Sequence, residues 1–219
     1  MFERDDADAG RLRIKICGIT NAEDAKAAIE CGADALGFNC YPRSERYVEL
    51  AAAGAWSARL PAGVRRIAMI VNPAWEEAIA LAALPFIDAL QLHGSESEEF
   101  CARLAHERIS FGKALPAFDA TLLAKADAFS TSTVVLDSTV GSHFGGTGTT
   151  FPWSIANRFA REHPSLQLVL AGGLTPENVG QAVAAVRPFA VDVTSGVELS
   201  PGRKDDRLLH AFIKGARAA

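Results

Sequence analysis

Short runs of β-branched and apolar residues alternate along this chain with stretches in which apolar positions recur every three or four residues. The first pattern predicts buried strands and the second amphipathic helices. Strands are expected over residues 12–17, 33–38, 66–71, 86–92, 109–115, 133–137, 166–171 and 190–194, each followed by a helical pattern. Val179, Ala182, Val183 and Val186 illustrate that pattern, falling at i, i+3, i+4 and i+7 on one face. Local chemistry marks the helix ends. Thr20-Asn21-Ala22-Glu23 and Ser95-Glu96-Ser97-Glu98 match the capping box, in which a hydroxyl and a carboxylate satisfy orphan amides reciprocally. Asn72-Pro73 and Thr175-Pro176 place a capping residue before a proline at the first helical position. Gly32 fits a left-handed stop after the first helix.

Strands alternating with helices imply parallel pairing with right-handed crossovers. Eight such units in 219 residues fit a single closed (β/α)8 TIM barrel. An open doubly wound sheet would normally show GxGxxG after its first strand, and Gly18-Ile19-Thr20 does not supply it. No composition break marks a linker, so residues 11–219 are expected to form one domain. Residues 1–10, MFERDDADAG, are acidic and lack the apolar centre of a signal peptide. They read as a flexible N-terminal extension that adds nothing to the fold.

Composition narrows the function. Apolar residues make up 49% and charged residues 22%, enough for a sizeable core. A net charge of −4 argues against nucleic acid as a partner, so any positive field for an anionic ligand must be local. No apolar run approaches the ~20 residues that span a bilayer. The cysteines at 17, 31, 40 and 101 show neither a CxxC pair nor metal-ligand spacing. They read as reduced thiols of a cytoplasmic protein, and no metal site is expected.

In a β/α barrel, function lies just past the C-terminal ends of the strands. Those positions hold Cys17, residues 38–46, Asn72, residues 91–93, Asp137, Gly172-Gly173 and Ser195-Gly196. The two glycine-bearing turns follow the last two strands, where barrels commonly hold phosphate. Glycine lets backbone amides approach an anion, and together the turns read as a phosphate cradle. Cys17 stands beside a helix start, where a thiol ionises more readily and suits a general base; a small buried hydrophobe is the plainer reading. Cys31 and Cys101 keep that plainer reading, and Cys40 is left open. Asp137 ends an apolar strand, as either a cap or an acid with a raised pKa. His93 is a structural or a catalytic histidine. Residues 138–151 form a glycine-rich segment read as a lid or as disorder. Arg43 and Arg46 sit on a second rim loop. An arginine there matters only if a planar carboxylate must be gripped.

These residues are also recognisable together. Lys15-Ile16-Cys17-Gly18-Ile19-Thr20 resembles the opening motif of the phosphoribosylanthranilate isomerase family of tryptophan biosynthesis. The likeness runs on through Gly37-Phe38, Ser44-x-Arg46-Tyr47, Leu90-Gln91-Leu92-His93-Gly94, Leu136-Asp137 and Gly145-Gly146-Thr147-Gly148. It closes with Ala171-Gly172-Gly173-Leu174-Thr175-Pro176 and Val191-Asp192-Val193-Thr194-Ser195-Gly196-Val197-Glu198, and so covers nearly everything after Gly10.

The resemblance implies an Amadori rearrangement of N-(5-phosphoribosyl)anthranilate without metal or cofactor. It implies Asp137 as general acid, Cys17 as general base and Arg46 as the partner of the anthranilate carboxylate. It assigns the phosphate to Gly172, Gly173, Ser195 and Gly196, and lines the pocket with Gln91, His93 and Asp192. The expected partner is a small phosphosugar bound by a monomer or homodimer. Thr149, Pro152 and Asn39-Cys40 depart from the family pattern and bear on the lid contacts. A related isomerase of histidine biosynthesis would place an aspartate where Cys17 stands. A catalytically dead sugar-phosphate-binding barrel would not be expected to keep Cys17, Asp137 and Arg46 together.

Overall fold

The computed structural model describes residues 1–2, 10–138 and 150–219. Eight parallel strands close into a barrel in sequence order: β1 (Arg13–Cys17), β2 (Ala35–Asn39), β3 (Arg65–Ile70), β4 (Ala89–Leu92), β5 (Phe111–Pro116), β6 (Thr133–Asp137), β7 (Gln167–Leu170) and β8 (Ala190–Val193). The seam is β1 on β8, with Lys15 beside Asp192. Around it lie α1 (Ala22–Cys31), α2 (Leu50–Ser57), α3 (Trp75–Ala82), α4 (Glu98–His106), α5 (Ala120–Ala124), α6 (Trp153–Glu162), α7 (Val179–Val186) and α8 (Asp206–Arg217). A short antiparallel hairpin, β9 (Glu198–Ser200) with β10 (Arg203–Lys204), stands between β8 and α8. This is the (β/α)8 barrel that the alternation predicts. All eight strands form where expected. Phe86 and Ile87, read as strand, instead close a turn before β4 (Ile87 N–H to Leu84 O, 2.9 Å) and are buried there.

Several caps sit elsewhere than expected. In α1 the cap is Asn21, whose side chain accepts from Asp24 N–H at 2.8 Å, while the Thr20 hydroxyl donates to Gly202 O. In α4 it is Ser97, accepting from Phe100 N–H; Ser95 and Glu96 lie outside the helix. Asn72 caps nothing. It sits at φ 46° and accepts from Ser95 N–H. Thr175-Pro176 opens a turn, and α7 starts only after Asn178. Gly32 is the left-handed stop expected, at φ 102°.

Strand periodicity positions the site. Successive side chains point to opposite faces of a strand. Ile14, Ile16, Leu36, Val134, Leu136, Val191 and Val193 pack outward in the core beneath the helices. The alternate positions point into the barrel and change character along its axis. Ala35, Ile67, Ala89, Val135, Val169 and Ala190 form an apolar lower core. Cys17, Asn39, Gln91, His93, Asp137 and Asp192 make the mouth polar. Met1 and Phe2 are buried at 3% and 6% exposure and belong to that lower core, with Phe2 edge-on to Phe189. Expecting all of residues 1–10 to add nothing to the fold was therefore wrong for these two. The alanines leave space below, and two apolar side chains fill it.

Candidate active site

All ten residues assigned to the site from the sequence line one cavity at the C-terminal mouth: Cys17, Arg46, Gln91, His93, Asp137, Gly172, Gly173, Asp192, Ser195 and Gly196. β1 brings Cys17 and β6 brings Asp137, from strands three places apart around the ring. Both are buried, at 6% and 7% exposure, yet open on the cavity.

His93 stands beside Asp137, with Nε2 3.5 Å from Oδ2. Gln91 Nε2 lies 3.0 Å from His93 Nδ1. With the Gln91 amide donating, Nδ1 accepts and the ring proton sits on Nε2, turned to the carboxylate. Behind His93, the buried Lys113 donates to Glu96 Oε2 at 2.8 Å and to Gly94 O at 2.7 Å. Glu96 also accepts from the amides of Asn72 and Gly94. This closed network fixes the turn that carries His93.

Among the described residues, three buried polar atoms of the cavity lining make no hydrogen bond: Gln91 Oε1, Asp192 Oδ1 and His93 Nε2, the last facing Asp137 Oδ2 at 3.5 Å. Buried polar groups are ordinarily satisfied, so Gln91 Oε1 and Asp192 Oδ1 call for a partner from outside these residues. The other oxygen of Asp192 holds the fully buried Lys15 ammonium at 2.7 Å. Burial pushes the Asp192 carboxyl up against the pull of Lys15. We read the pair as ionised, because neutralising one partner alone would strand the other as a buried charge.

On the opposite rim, Asn39 shapes the loop after β2. Its amide donates to Ser44 Oγ at 2.8 Å, and Ser44 Oγ accepts from Arg46 N–H at 3.1 Å. The Arg46 guanidinium lies on Glu198, with Nε 3.0 Å from both oxygens and Nη2 2.7 Å from Oε2. The buried Lys204 donates to Glu198 Oε1 at 2.9 Å and to Cys17 O at 2.6 Å, tying the hairpin to β1. Lys15, Glu198 and Lys204 were not singled out as site residues. Lys15 had a signal, since two residues before Cys17 in a strand is the same face. Cys40 is settled as a core residue, its thiol pushed up to about 12 by burial. Cys101 is likewise buried and Cys31 half-buried.

At the β7 and β8 ends, Gly172 and Gly173 adopt φ 79° and 64°. Asn178 pins their loop, donating to Gly173 O and accepting from Thr175 N–H, both at 2.9 Å. Ser195 and Gly196 open a 3₁₀ turn, Ser195–Val197, facing it. The glycine-rich segment falls mostly on residues 139–149, outside the described residues, as does Thr149. Pro152 is described, and precedes α6 as its N-cap. Among the described residues no cluster of His, Cys, Asp or Glu could hold a metal ion, and no helix is long and apolar enough to cross a membrane.

Fold and site together define a (β/α)8-barrel enzyme whose mouth gathers a thiol, a carboxylate, an arginine and two glycine-bearing turns on one cavity. The profile of the N-(5'-phosphoribosyl)anthranilate (PRA) isomerase family matches residues 14–215. An N-(5'-phosphoribosyl)anthranilate isomerase of Thermotoga neapolitana is 45% identical over 206 residues, covering 94% of this chain and 98% of that protein. The crystal structure of phosphoribosyl anthranilate isomerase from Thermotoga maritima superposes with a TM-score of 0.85 at 41% identity, covering 95% of this chain and 100% of that one. A phosphoribosyl anthranilate isomerase in complex with reduced 1-(o-carboxyphenylamino)-1-deoxyribulose 5-phosphate has a TM-score of 0.81 at 40% identity, with the same coverage. The chain belongs to the N-(5'-phosphoribosyl)anthranilate isomerase family.

Proposed function

We propose that this chain catalyses the Amadori rearrangement of N-(5-phosphoribosyl)anthranilate to 1-(2-carboxyphenylamino)-1-deoxyribulose 5-phosphate, a step of tryptophan biosynthesis in the cytoplasm. One observation carries the assignment of parts. A thiol and a carboxylate open on one cavity that has a glycine cradle and a rim arginine. The cradle takes the 5'-phosphate through backbone amides. Arg46 takes the anthranilate carboxylate. Asp137 protonates the ribose ring oxygen while the anilino nitrogen pushes its lone pair toward C1, and the furanose opens to a protonated Schiff base. Cys17, as thiolate, removes the proton from C2, and the electrons pass through C1 to nitrogen to give an enolamine. Loss of the O2 proton and protonation at C1 yield the ketone. No electron acceptor or metal enters this balance. His93 and Gln91 orient Asp137, and the free oxygen of Asp192 receives a sugar hydroxyl. One chain supplies every group named, so monomer and homodimer are equally competent.

The test is to mix purified protein with freshly made phosphoribosylanthranilate and follow anthranilate-type fluorescence with mass detection. Fluorescence should fall faster than in buffer, with a product of unchanged mass and no sensitivity to chelators. Release of free anthranilate at the uncatalysed rate would overturn the reading.

A further inference from the structure

Lys15 is a buried cation to which the proposed reaction gives no task. It lies on the inward face of β1, two residues below Cys17, and is 0% exposed. Its attachment is the 2.7 Å contact with Asp192 across the barrel seam. A buried ion pair is a weak stabiliser compared with packed apolar side chains, and the layer below is apolar already. Stability alone therefore does not explain the pair. Its surroundings do. A methyl group placed on Gly37 would meet Cys17 Sγ at 2.6 Å and Lys15 Nζ at 3.0 Å, so sulfur and ammonium share one notch that glycine keeps open. That puts the two groups in the range where opposite charges alter ionisation.

We propose that Lys15 is a positioning residue for Cys17: its ammonium holds the thiolate that takes the C2 proton, and Asp192 holds the ammonium. This rests on reading Cys17 as the base. The charge count supports the arrangement. With Cys17 as thiol, Lys15 and Asp192 are a neutral pair. With Cys17 as thiolate, the new anion has a cation beside it and is not an isolated buried charge. Burial works against the Lys15 charge, but Asp192 and Cys17 outweigh it and hold the ammonium above its ordinary value, so it is a fixed charge at working pH. Other groups also face Cys17. Arg46 and the Cys40 thiol come from the β2 side, and Lys204 comes from the hairpin. Arg46 and Lys204 both spend their charge on Glu198. Asp192 comes from β8 and lies on Lys15; Asp137 and His93 complete the polar wall across the mouth.

The experiment compares the parent protein with Lys15→Met and with Lys15→Met/Asp192→Asn, which leaves no lone carboxylate if the single variant folds poorly. Iodoacetamide labelling is followed peptide by peptide from pH 6 to 10, with Cys31 as internal reference. Labelling of Cys17 should shift to higher pH in both variants and slow about tenfold or more at pH 7, the effect of removing one adjacent opposite charge. Cys31 should label as before. In Lys15→Met, turnover should fall in parallel at neutral pH and recover as pH rises, with KM changed less than kcat. An unchanged Cys17 labelling curve in the folded variants overturns the proposal, as does an equal shift at Cys31. If Cys17→Ser kept near-native kcat, the base assignment would fail while the labelling result stood, so the two failures are distinguishable.

Discussion

An arginine offers two edges to carboxylates, and in Arg46 one is taken. Nε and Nη2 lie along Glu198, which leaves the Nη1 side of the fork for a ligand in the cavity that Arg46 lines. Glu198 thus sets the angle at which the fork is presented, and is itself held by Lys204. Lysine has no second edge, so Arg46→Lys should be costly although the charge is kept. Hydrogen bonds to charged groups are worth ~1.5–3 kcal/mol, so Arg46→Ala should lower kcat/KM about one to two orders of magnitude. Steady-state kinetics with an analogue lacking the carboxylate checks the cause. That analogue should lose little more in the variant, whereas equal proportional losses would mean Arg46 only supports its loop. Arg43→Ala is the control. Lys15 supplies a pH prediction at the same scale. Its folded pKa lies above the ordinary 10.5, so whatever stability its charge contributes is fully present below that value. It is lost only as pH climbs through the higher folded value. In urea melts, the stability gap between parent and Lys15→Met should shrink as pH climbs above about 10.5.

Two turns make the proposed phosphate cradle, and at Gly172 and Gly196 each is closed to side chains by its neighbours. A Cβ on Gly196 would fall 2.0 Å from Leu174 O, so the β7 and β8 turns pack backbone on backbone. At Gly172 it would fall 2.5 Å from Ser138 N, at a φ of 79° that already favours glycine. Gly196→Ala should therefore pry the turns apart and weaken inhibition by inorganic phosphate about tenfold or more, the loss of one or two charge-assisted hydrogen bonds. Gly63→Ala, with nothing within 4 Å, should leave that inhibition unchanged. Undiminished phosphate inhibition in Gly196→Ala would move the anion site elsewhere. The elements themselves were legible in the sequence because strand periodicity is local and repeats eight times. Caps were less so: Thr20 and Asn21 are both capping residues, and Thr20 is drawn off to Gly202, far along the chain. Strand ends and glycine turns also pointed to residues that the structure gathers on one cavity, Cys17, Asp137, Gly172-Gly173 and Ser195-Gly196. Pairings made across the barrel, Lys15 with Asp192 at a separation of 177 residues and Arg46 with Glu198 at 152, have no local signature.

Along the barrel axis the molecule divides its labour, because the same inward face is apolar below and polar above. Ala35, Ala89, Ala114 and Ala190 are too small to fill the lower end, and Met1 and Phe2 occupy the space they leave. Conservation of volume there serves stability, while chemistry is confined to the opposite mouth. The two ends should separate under mutation. Phe2→Ala removes a nearly buried ring and opens a cavity among residues that have little bulk to collapse with. It should cost about 3–5 kcal/mol of folding free energy in urea melts, toward the lower value because Phe2 lies at the edge of the core. Its kcat should match the parent's at temperatures where both are folded. Cys17→Ser and Asp137→Asn should do the reverse, lowering kcat at least ~10²-fold, the usual minimum for a positioned acid or base, with small changes in stability. Melts and turnover measured on the same preparations decide the matter. A Phe2→Ala protein that is fully folded yet loses kcat would show that the lower layer reaches the site, through the Lys15–Asp192 pair that stands between them.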